Sequence, residues 1–229
     1  SCSKDTTDPV DPITKDTTPY QLNTGDLPQP SIAEDNPLTI AGVGLGRRLF
    51  YDNILSLDQS MNCASCHQQE FAFSDTSRFS IGVEGEPGGR QSMAVVNMAW
   101  NSNEFFWDGR AHLLRDQVVK PIQDPLELNL AMDVLLERLQ NDPEYPNLFI
   151  KAFGTSTITE DLLGLALEQF CNSISSGNSK YDQYLNGSTE LTESEERGRE
   201  LFFAEYNPGF PDISGADCAH CHSGINFEN

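Results

Sequence analysis

The sequence has few basic residues and no long apolar run, and each absence excludes a class of function. Lysine and arginine number 14 against 35 acidic residues, which gives a formal net charge of −21. Nucleic-acid binding needs a cationic face, so the composition argues against a nucleic-acid partner. No run of 18 or more apolar residues occurs, so the sequence predicts no transmembrane helix. The acidic surface suits solubility, or the steering of a basic redox partner.

Histidine and cysteine are also scarce, but most of them fall in two short clusters. The chain has four histidines and six cysteines. Residues 63–67 read CASCH and residues 218–222 read CAHCH, so the pattern CxxCH occurs twice. Structural zinc usually takes four ligands from closely spaced pairs, and no further cysteine pair lies near either cluster. A disulfide within CxxC leaves the adjacent histidine unexplained.

Covalent haem accounts for every residue of the pattern. Two cysteines three apart on a helical turn point the same way and can form thioethers with both vinyl groups of one haem. The next residue then lies under the iron, so its imidazole becomes the proximal ligand. The two predicted c-type haem sites consist of Cys63, Cys66 and His67, and of Cys218, Cys221 and His222.

Apolar periodicity from residue 38 onward predicts a helical fold. Residues 41–52 place Leu45, Leu49 and Phe50 on one helix face, and residues 131–139 space Val134, Leu135 and Leu139 in the same way. Further helices are predicted after Thr159, with an inner face that includes Leu163, Ala166, Leu167, Phe170 and Ile174, and after Thr192. We expect an all-α protein with a first unit at 38–188 and the start of a second at 189–229, which looks cut short.

Residues 1–37 are rich in Asp, Thr and Pro and contain few large apolar side chains, so we expect a flexible tether. Cys2 stands at the head of this segment and resembles the lipid-modified first residue of an exported lipoprotein. The alternative is a stray thiol. The hypothesis is an exported protein on the periplasmic or cell-envelope side, tethered to the membrane through Cys2. Cys171 lies in an apolar helical stretch and is expected to be a small buried hydrophobe.

Five stretches carry a resemblance to a known family. They are LGRRLFYD, CASCHQQEFAFSD, SIGVEGEPGGR, FWDGRAHLLRDQ and CAHCHSG. Together, over residues 42–227, they resemble the bacterial dihaem cytochrome c peroxidases, a group that also contains MauG. The resemblance implies two cytochrome c-like helical domains, each around one c-type haem. It also implies that the first haem reacts with hydrogen peroxide, and that the second receives electrons from a small cytochrome c or cupredoxin.

The resemblance also assigns roles to single residues. Glu127 matches the family's catalytic glutamate, and Gln117 and Pro121 match its distal-pocket glutamine and proline. Trp107 matches a tryptophan that relatives place between the haems. Without the motif, Glu127 would be an ordinary surface acid and Trp107 a core aromatic. Arg110 follows in the same motif, and we expect it to form either an ion pair or a contact with a haem propionate.

Two positions depart from the family pattern. Many relatives read SIGH where this chain has Val83, and their histidine caps the peroxidatic iron. Valine cannot ligate iron, so we expect that iron to be five-coordinate or water-bound. Gln91 stands after Arg90 where relatives have a calcium-binding asparagine, which leaves calcium open as a further ligand. A homodimer is also left open.

Three functions are therefore weighed. The first is a peroxidase that reduces hydrogen peroxide to water with electrons from a small redox protein. The second is a MauG-like oxidase of a protein or small organic substrate. The third is a dihaem electron carrier without chemistry of its own, which an open distal face and Glu127 argue against.

Overall fold

The computed structural model describes residues 12–227, and every regular element of this range is helical. The eight α-helices are α1 Ile40–Phe50, α2 Leu114–Gln117, α3 Lys120–Gln123, α4 Met132–Asn141, α5 Tyr145–Phe153, α6 Glu160–Ser173, α7 Lys180–Leu185 and α8 Glu193–Phe203. Within this range only isolated β-bridges occur and no strand forms. The predicted all-α fold is confirmed. None of the described helices is long and apolar enough to cross a membrane.

The core forms where α1 packs against α6, and α5 also packs against α1. Gly42 and Gly46 make the close approach to α6 possible. A Cβ at Gly46 would overlap the carbonyl oxygen of Ala166, and one at Gly42 would overlap the side chain of Gln169. The two helices therefore pack almost backbone to backbone, and larger residues at either glycine would force them apart.

Most of the predicted core positions are buried. Leu45, Leu49 and Phe50 of α1 are almost fully enclosed, as are Leu163, Ala166, Leu167 and Phe170 of α6, and Cys171 is buried beside them. The prediction for α4 was wrong at one position, because Val134 is 41% exposed. Leu135 and Leu139 are fully buried there, since they and Met132 form the inner stripe of that helix.

The helix starts also agree with the sequence. Thr159 caps α6 by accepting a hydrogen bond from the Leu162 amide, and Thr192 forms a capping box with Glu195 at the start of α8. Such caps satisfy amides that have no partner within the helix, which is why the pattern predicted these ends reliably.

The tether interpretation needs correction over residues 12–37, which lack helix but lie against the first helical unit. Backbone hydrogen bonds join Tyr20 to Leu38 and Asp26 to Gly177. Asn36 is buried and donates a hydrogen bond to Glu168 on α6 at 2.6 Å. Hydrogen bonds of the backbone and of the Asn36 amide hold this segment against the helices, so it needs few buried apolar side chains. Cys2 lies outside the described residues.

Between α1 and α2 the chain forms loops and single 3₁₀ turns rather than long helices. This stretch holds the first CxxCH cluster and the SIGV and FWDGRA motifs. The second cluster follows α8, on a 3₁₀ turn at Cys218–His220 that packs against that helix.

Candidate haem and peroxide site

The first CxxCH cluster forms a single tight turn. Residues Cys63–Ser65 are a 3₁₀ turn, and the carbonyl of Cys63 accepts from the amides of Cys66 at 3.2 Å and His67 at 2.9 Å. Asn62 and Ser65 cap the turn reciprocally. The pattern therefore folds locally into the turn that covalent haem attachment requires.

The His67 ring is oriented by the main chain. Its Nδ1 lies 3.1 Å from the carbonyl oxygen of Phe73. A carbonyl oxygen can only accept, so Nδ1 carries the hydrogen and Nε2 keeps a free lone pair. Burial lowers the pKa of His67, which favours the neutral imidazole. An imidazole held in this tautomer by a backbone carbonyl is typical of a metal ligand.

The thiols of the first cluster lie in apolar surroundings. Burial raises the pKa of Cys63 to about 12, and burial also raises the pKa of Cys66, although a hydrogen bond with the Ser80 side chain opposes it. Cys63 packs against the hydrophobic core, and the Phe50 ring lies 6.4 Å from the His67 ring. The first cluster is therefore part of the core rather than an appendage to it.

The second cluster repeats the turn in more open surroundings. The carbonyl of Cys218 accepts from the amides of Cys221 at 3.1 Å and His222 at 2.8 Å. The Nδ1 of His222 lies 3.1 Å from the carbonyl oxygen of Phe227. Cys221 and His222 are exposed. Phe227 also lines a largely apolar cavity of about 500 Å³ between α7 and α8.

The surroundings of the first cluster suit a large, flat, apolar group. The loops and short helices between α1 and α4, which include this cluster, expose large apolar side chains, namely Phe71, Ile81, Met93, Trp107, Leu113 and Leu126. A porphyrin bound to Cys63 and Cys66 would give these side chains an apolar surface to pack against, so that they are no longer exposed to water. The residues present therefore fit a c-type haem.

Glu127 lies near the two thiols, although about 60 residues separate it from them in sequence. Its charge acts electrostatically on both Cys63 and Cys66. The side chain is exposed to solvent, yet partial desolvation by the surrounding loops raises the pKa of its carboxyl. The nearby charge of Asp124 raises this pKa further, and Arg110 opposes it. A carboxyl with a raised pKa holds its proton more readily than an ordinary glutamate, which suits a group that accepts and returns a proton.

The other two residues predicted for the distal pocket lie on the short helices before Glu127. Gln117 ends α2 and is half-buried, and Pro121 lies in the first turn of α3. The carbonyl of Pro121 accepts a hydrogen bond from the Leu128 amide at 3.2 Å, which ties α3 to the loop that carries Glu127. The structure thus links Pro121 to that loop, and Gln117 lies one short helix away from it.

Val83 lies directly against this loop. Its amide donates a hydrogen bond to the carbonyl of Glu127 at 2.8 Å. The neighbouring Gly82 is buried against the carbonyls of Leu126 and Glu127, where a Cβ would overlap the Leu126 oxygen. No pattern in the sequence indicated this contact, because it joins two loops that are far apart along the chain.

Trp107 is not a core residue, since 61% of it is exposed. Its indole nitrogen donates to the carbonyl of Gln91 at 3.0 Å. Arg110 forms an ion pair with Asp108 at 2.7 Å, and its guanidinium carbon lies 3.4 Å from the centre of the Phe106 ring. Of the two contacts predicted for Arg110, the structure therefore shows the ion pair. Trp107 does not pack in the core.

The contacts of Gln91 bear on the predicted calcium site. Its side-chain amide donates to Ser74 at 3.2 Å and to the carbonyl of Asp75 at 2.9 Å. Among residues 12–227, no group of three or more His, Cys, Asp or Glu side chains is arranged to hold a metal ion. Calcium stays a prediction.

The sequence also gave no sign of a polar network beside the first cluster. Ser80 donates to Asp75 at 2.6 Å and contacts the Ser92 hydroxyl at 2.8 Å, and the Ser74 hydroxyl donates to the Ser92 carbonyl. Serine and aspartate are common in loops for many reasons, so their clustering here could be found only from the structure.

The all-helical fold and two CxxCH turns with carbonyl-oriented histidines are typical of c-type cytochromes. Comparison with known proteins narrows the class. The profile of the di-haem cytochrome c peroxidase family matches residues 40–190. The chain belongs to this family, and membership implies haem c as its cofactor.

Individual relatives agree with this assignment. The chain is 35% identical to the methylamine utilization protein MauG of Methylophilus methylotrophus over 193 residues, 84% of this chain and 55% of that protein. It is 32% identical to the cytochrome c551 peroxidase of Nitrosomonas europaea over 181 residues, 79% of this chain and 51% of that enzyme. The chain thus spans about half the length of these relatives.

A solved structure is also similar. A MauG-like protein associated with microbial copper homeostasis superposes with a TM-score of 0.76 at 31% identity. The match covers 88% of this chain and 58% of that one. The likeness agrees with cytochrome c-like helical domains.

Proposed function

We propose that this protein is a peroxidase that reduces hydrogen peroxide to water with electrons from a small cytochrome c or cupredoxin. The proposal is supported by Glu127, a carboxyl of raised pKa that lies within electrostatic range of Cys63 and Cys66 and whose carbonyl accepts a hydrogen bond from Val83 of the SIGV motif. Family membership supports the same chemistry. An electron carrier would have no need of a proton-exchanging carboxyl at this place.

Each residue set has a distinct task. Cys63 and Cys66 would hold the first haem by thioethers, with Nε2 of His67 as the proximal ligand, and Cys218, Cys221 and His222 would hold the second in the same way. When bound, the first haem supplies an iron that can coordinate peroxide and pass electrons to it. The protein supplies orientation, dry surroundings and proton transfer.

The reaction consumes two electrons and two protons for each hydrogen peroxide and yields two water molecules. The bond between the two peroxide oxygens breaks only if the departing oxygen gains a proton. We assign this transfer to Glu127, whose carboxylate takes a proton from one oxygen and returns it to the other. The raised pKa makes the carboxyl a better proton acceptor than an ordinary glutamate, and the proton that it takes is then returned to the second oxygen. Gln117 and Pro121 would shape the pocket around it.

Electrons would enter at the second haem and pass to the first. Trp107 is the residue that we assign to the path between the haems. Its indole is fixed by the hydrogen bond to the Gln91 carbonyl.

Val83 supports a site that is open to peroxide without prior activation. Its side chain has no atom that can ligate iron, and its amide is committed to Glu127. We therefore expect an iron that is five-coordinate or water-bound in the fully oxidised protein.

The proposal is tested by steady-state peroxide turnover of the haem-loaded protein with a reduced donor cytochrome. A Glu127→Gln variant should lose about 10²–10⁴-fold in turnover while both haems stay attached, because the amide cannot exchange a proton. Glu137→Gln, an exposed acid on α4, serves as the matched control and should keep full activity. Unchanged turnover in Glu127→Gln would remove this carboxylate from the mechanism.

A second candidate is a MauG-like oxidase of a protein or small organic substrate. The observation that favours it is the identity to MauG, 35%, against 32% to the cytochrome c551 peroxidase. The same turnover assay distinguishes the two: a peroxidase turns over with a small reduced cytochrome, and the oxidase does not.

We also infer export to the periplasmic or cell-envelope side, with lipid attachment at Cys2. The inference rests on the Asp, Thr and Pro content of the first residues and on Cys2 at their head. Mass spectrometry of the N-terminal peptide from the native host would show a diacylglyceryl modification on Cys2. An unmodified thiol would contradict the lipid anchor.

A further inference from the structure

We propose that the turn Gly82–Gly85 is a positioning element that fixes the main chain of Glu127 relative to the first CxxCH cluster. The inference rests on the proposed peroxidase function and deepens it, since it names residues that act through Glu127 rather than on peroxide. Two contacts carry it: the Val83 amide with the Glu127 carbonyl, and Gly82 with the carbonyls of Leu126 and Glu127.

The loop that carries Glu127 is short and is fixed from three sides. On its own side, the Glu127 amide donates to the carbonyl of Asp124 at 3.0 Å and the Leu128 amide donates to Pro121. From a second side, the amide of Leu57 donates to the carbonyl of Leu128 at 2.9 Å. The third anchor is the Val83 amide, the one that acts on the carbonyl of Glu127 itself.

Gly82 sets how closely the third anchor approaches. A Cβ at this position would overlap the Leu126 carbonyl oxygen and lie 2.9 Å from the Glu127 carbonyl oxygen. Since both neighbours are backbone atoms, they could not yield by a change of side-chain rotamer. Any side chain at position 82 would therefore push the Glu127 loop away, and glycine is needed for the close approach.

The turn is closed by its own hydrogen bonds and is linked to the first CxxCH cluster. The amide of Gly82 donates to Glu86, that of Gly85 to Gly82, and that of Gly88 to Ser80, each at 2.9 Å. The Ser80 hydroxyl contacts Asp75 and Ser92 and interacts with the Cys66 thiol. A continuous set of short contacts therefore runs from the first cluster through Ser80 and the turn to Glu127.

Catalysis is sensitive to such positioning. A displacement of about 1 Å of a catalytic group can cost on the order of 100-fold in rate. Glu127 lies on a loop rather than on a long helix, so its own element cannot supply that precision. The turn supplies it by holding the carbonyl of the same residue whose carboxyl moves the proton.

Val83→Pro is the most selective test. Val83 is the second residue of the four-residue turn that the Gly85–Gly82 hydrogen bond closes, and proline is favoured at that place. The substitution should therefore keep the turn, remove the amide donor to Glu127 and place the ring Cδ against the Glu127 carbonyl oxygen, so that this anchor is both lost and displaced. Glu84→Ala, at the next and exposed position of the same turn, leaves every amide in place and is the matched control. We expect Val83→Pro to lose about 10–100-fold in kcat for peroxide and Glu84→Ala to stay within about twofold.

Gly82→Ala tests the second contact by adding one methyl group. We expect a similar loss of kcat, with an unchanged KM for the donor cytochrome and two haems still attached. Gly89→Ala is the control in the same loop, because its Cβ would meet nothing within 4 Å. Equal activity of Gly82→Ala and Gly89→Ala would overturn the role of Gly82, and full activity of Val83→Pro would overturn the role of the hydrogen bond.

Double variants separate positioning from a general structural role. In a Glu127→Gln background, Val83→Pro should cause no further loss of turnover, because the group being positioned is already absent. A second loss of the same size would show that the turn acts on something else and would overturn the inference. Glu127→Gln alone tests the proposed function, so an inactive Glu127→Gln with an active Val83→Pro rejects the positioning role alone.

Discussion

The two CxxCH clusters share their local structure and differ in what surrounds it. In both, the carbonyl of the first cysteine accepts from the amides of the second cysteine and the histidine, and a backbone carbonyl orients the histidine ring. The first cluster is packed into the hydrophobic core, with Glu127 beside it. In the second, Cys221 and His222 are exposed within the described part of the chain. The CxxCH turn is therefore a local property, whereas the proposed peroxide chemistry depends on residues that are distant in sequence.

The largest effect should come from removing the cysteines of one cluster at a time. Cys63→Ala/Cys66→Ala should abolish the reaction with peroxide, because the first haem would have no thioether attachment. Cys218→Ala/Cys221→Ala should also lose one covalent haem, but the first haem that remains should still react with peroxide. Stopped-flow absorbance at the Soret band would follow both reactions. Loss of the peroxide reaction in the second variant only would reverse our assignment of the two clusters.

The next effect should come from a new ligand at Val83. We expect Val83→His to convert the first haem from high-spin to low-spin and to slow its reaction with peroxide by more than about tenfold, because imidazole would occupy the site that peroxide needs. EPR of the fully oxidised protein measures the change, with Val83→Ala as the high-spin control. Two low-spin haems in the unmodified protein would contradict an open iron at the first cluster.

The smallest effect concerns stability. The pKa of Glu127 is higher in the folded protein than in the unfolded chain, so the folded state binds this proton more tightly. Stability should therefore fall as pH rises above the ordinary glutamate value, because ionisation is disfavoured in the fold. Glu127→Gln cannot ionise, so we expect a slightly higher Tm than the parent at pH 7 and no gain at pH 4. An equal gain at both pH values would show that desolvation of the carboxylate is not the cause.

Local features of the fold were predictable from sequence. The caps at Thr159 and Thr192 and the apolar stripes of α1 and α6 depend on residues within one or two turns. The CxxCH turn is equally local, which is why its geometry followed from five letters. The same reasoning was wrong for Val134, which is exposed because the buried stripe of α4 is centred on Leu135 and Leu139.

Tertiary contacts were not predictable in this way. Residues 12–37 looked too polar to order, yet backbone bonds and buried Asn36 hold them against the helices. Glu127 could be singled out only through its motif, because nothing in its neighbouring residues shows that it lies beside Cys63. The hydrogen bond between Val83 and Glu127 joins two loops more than 40 residues apart. Such a pairing follows from the packing of the whole domain.

The most direct test of the account is intact-mass spectrometry of the protein purified from its native host, followed by peptide mapping. We predict two covalently attached haems, one on Cys63 and Cys66 and one on Cys218 and Cys221. An unmodified mass, or cysteines joined as disulfides within each cluster, would contradict the haem assignment and every role that depends on it.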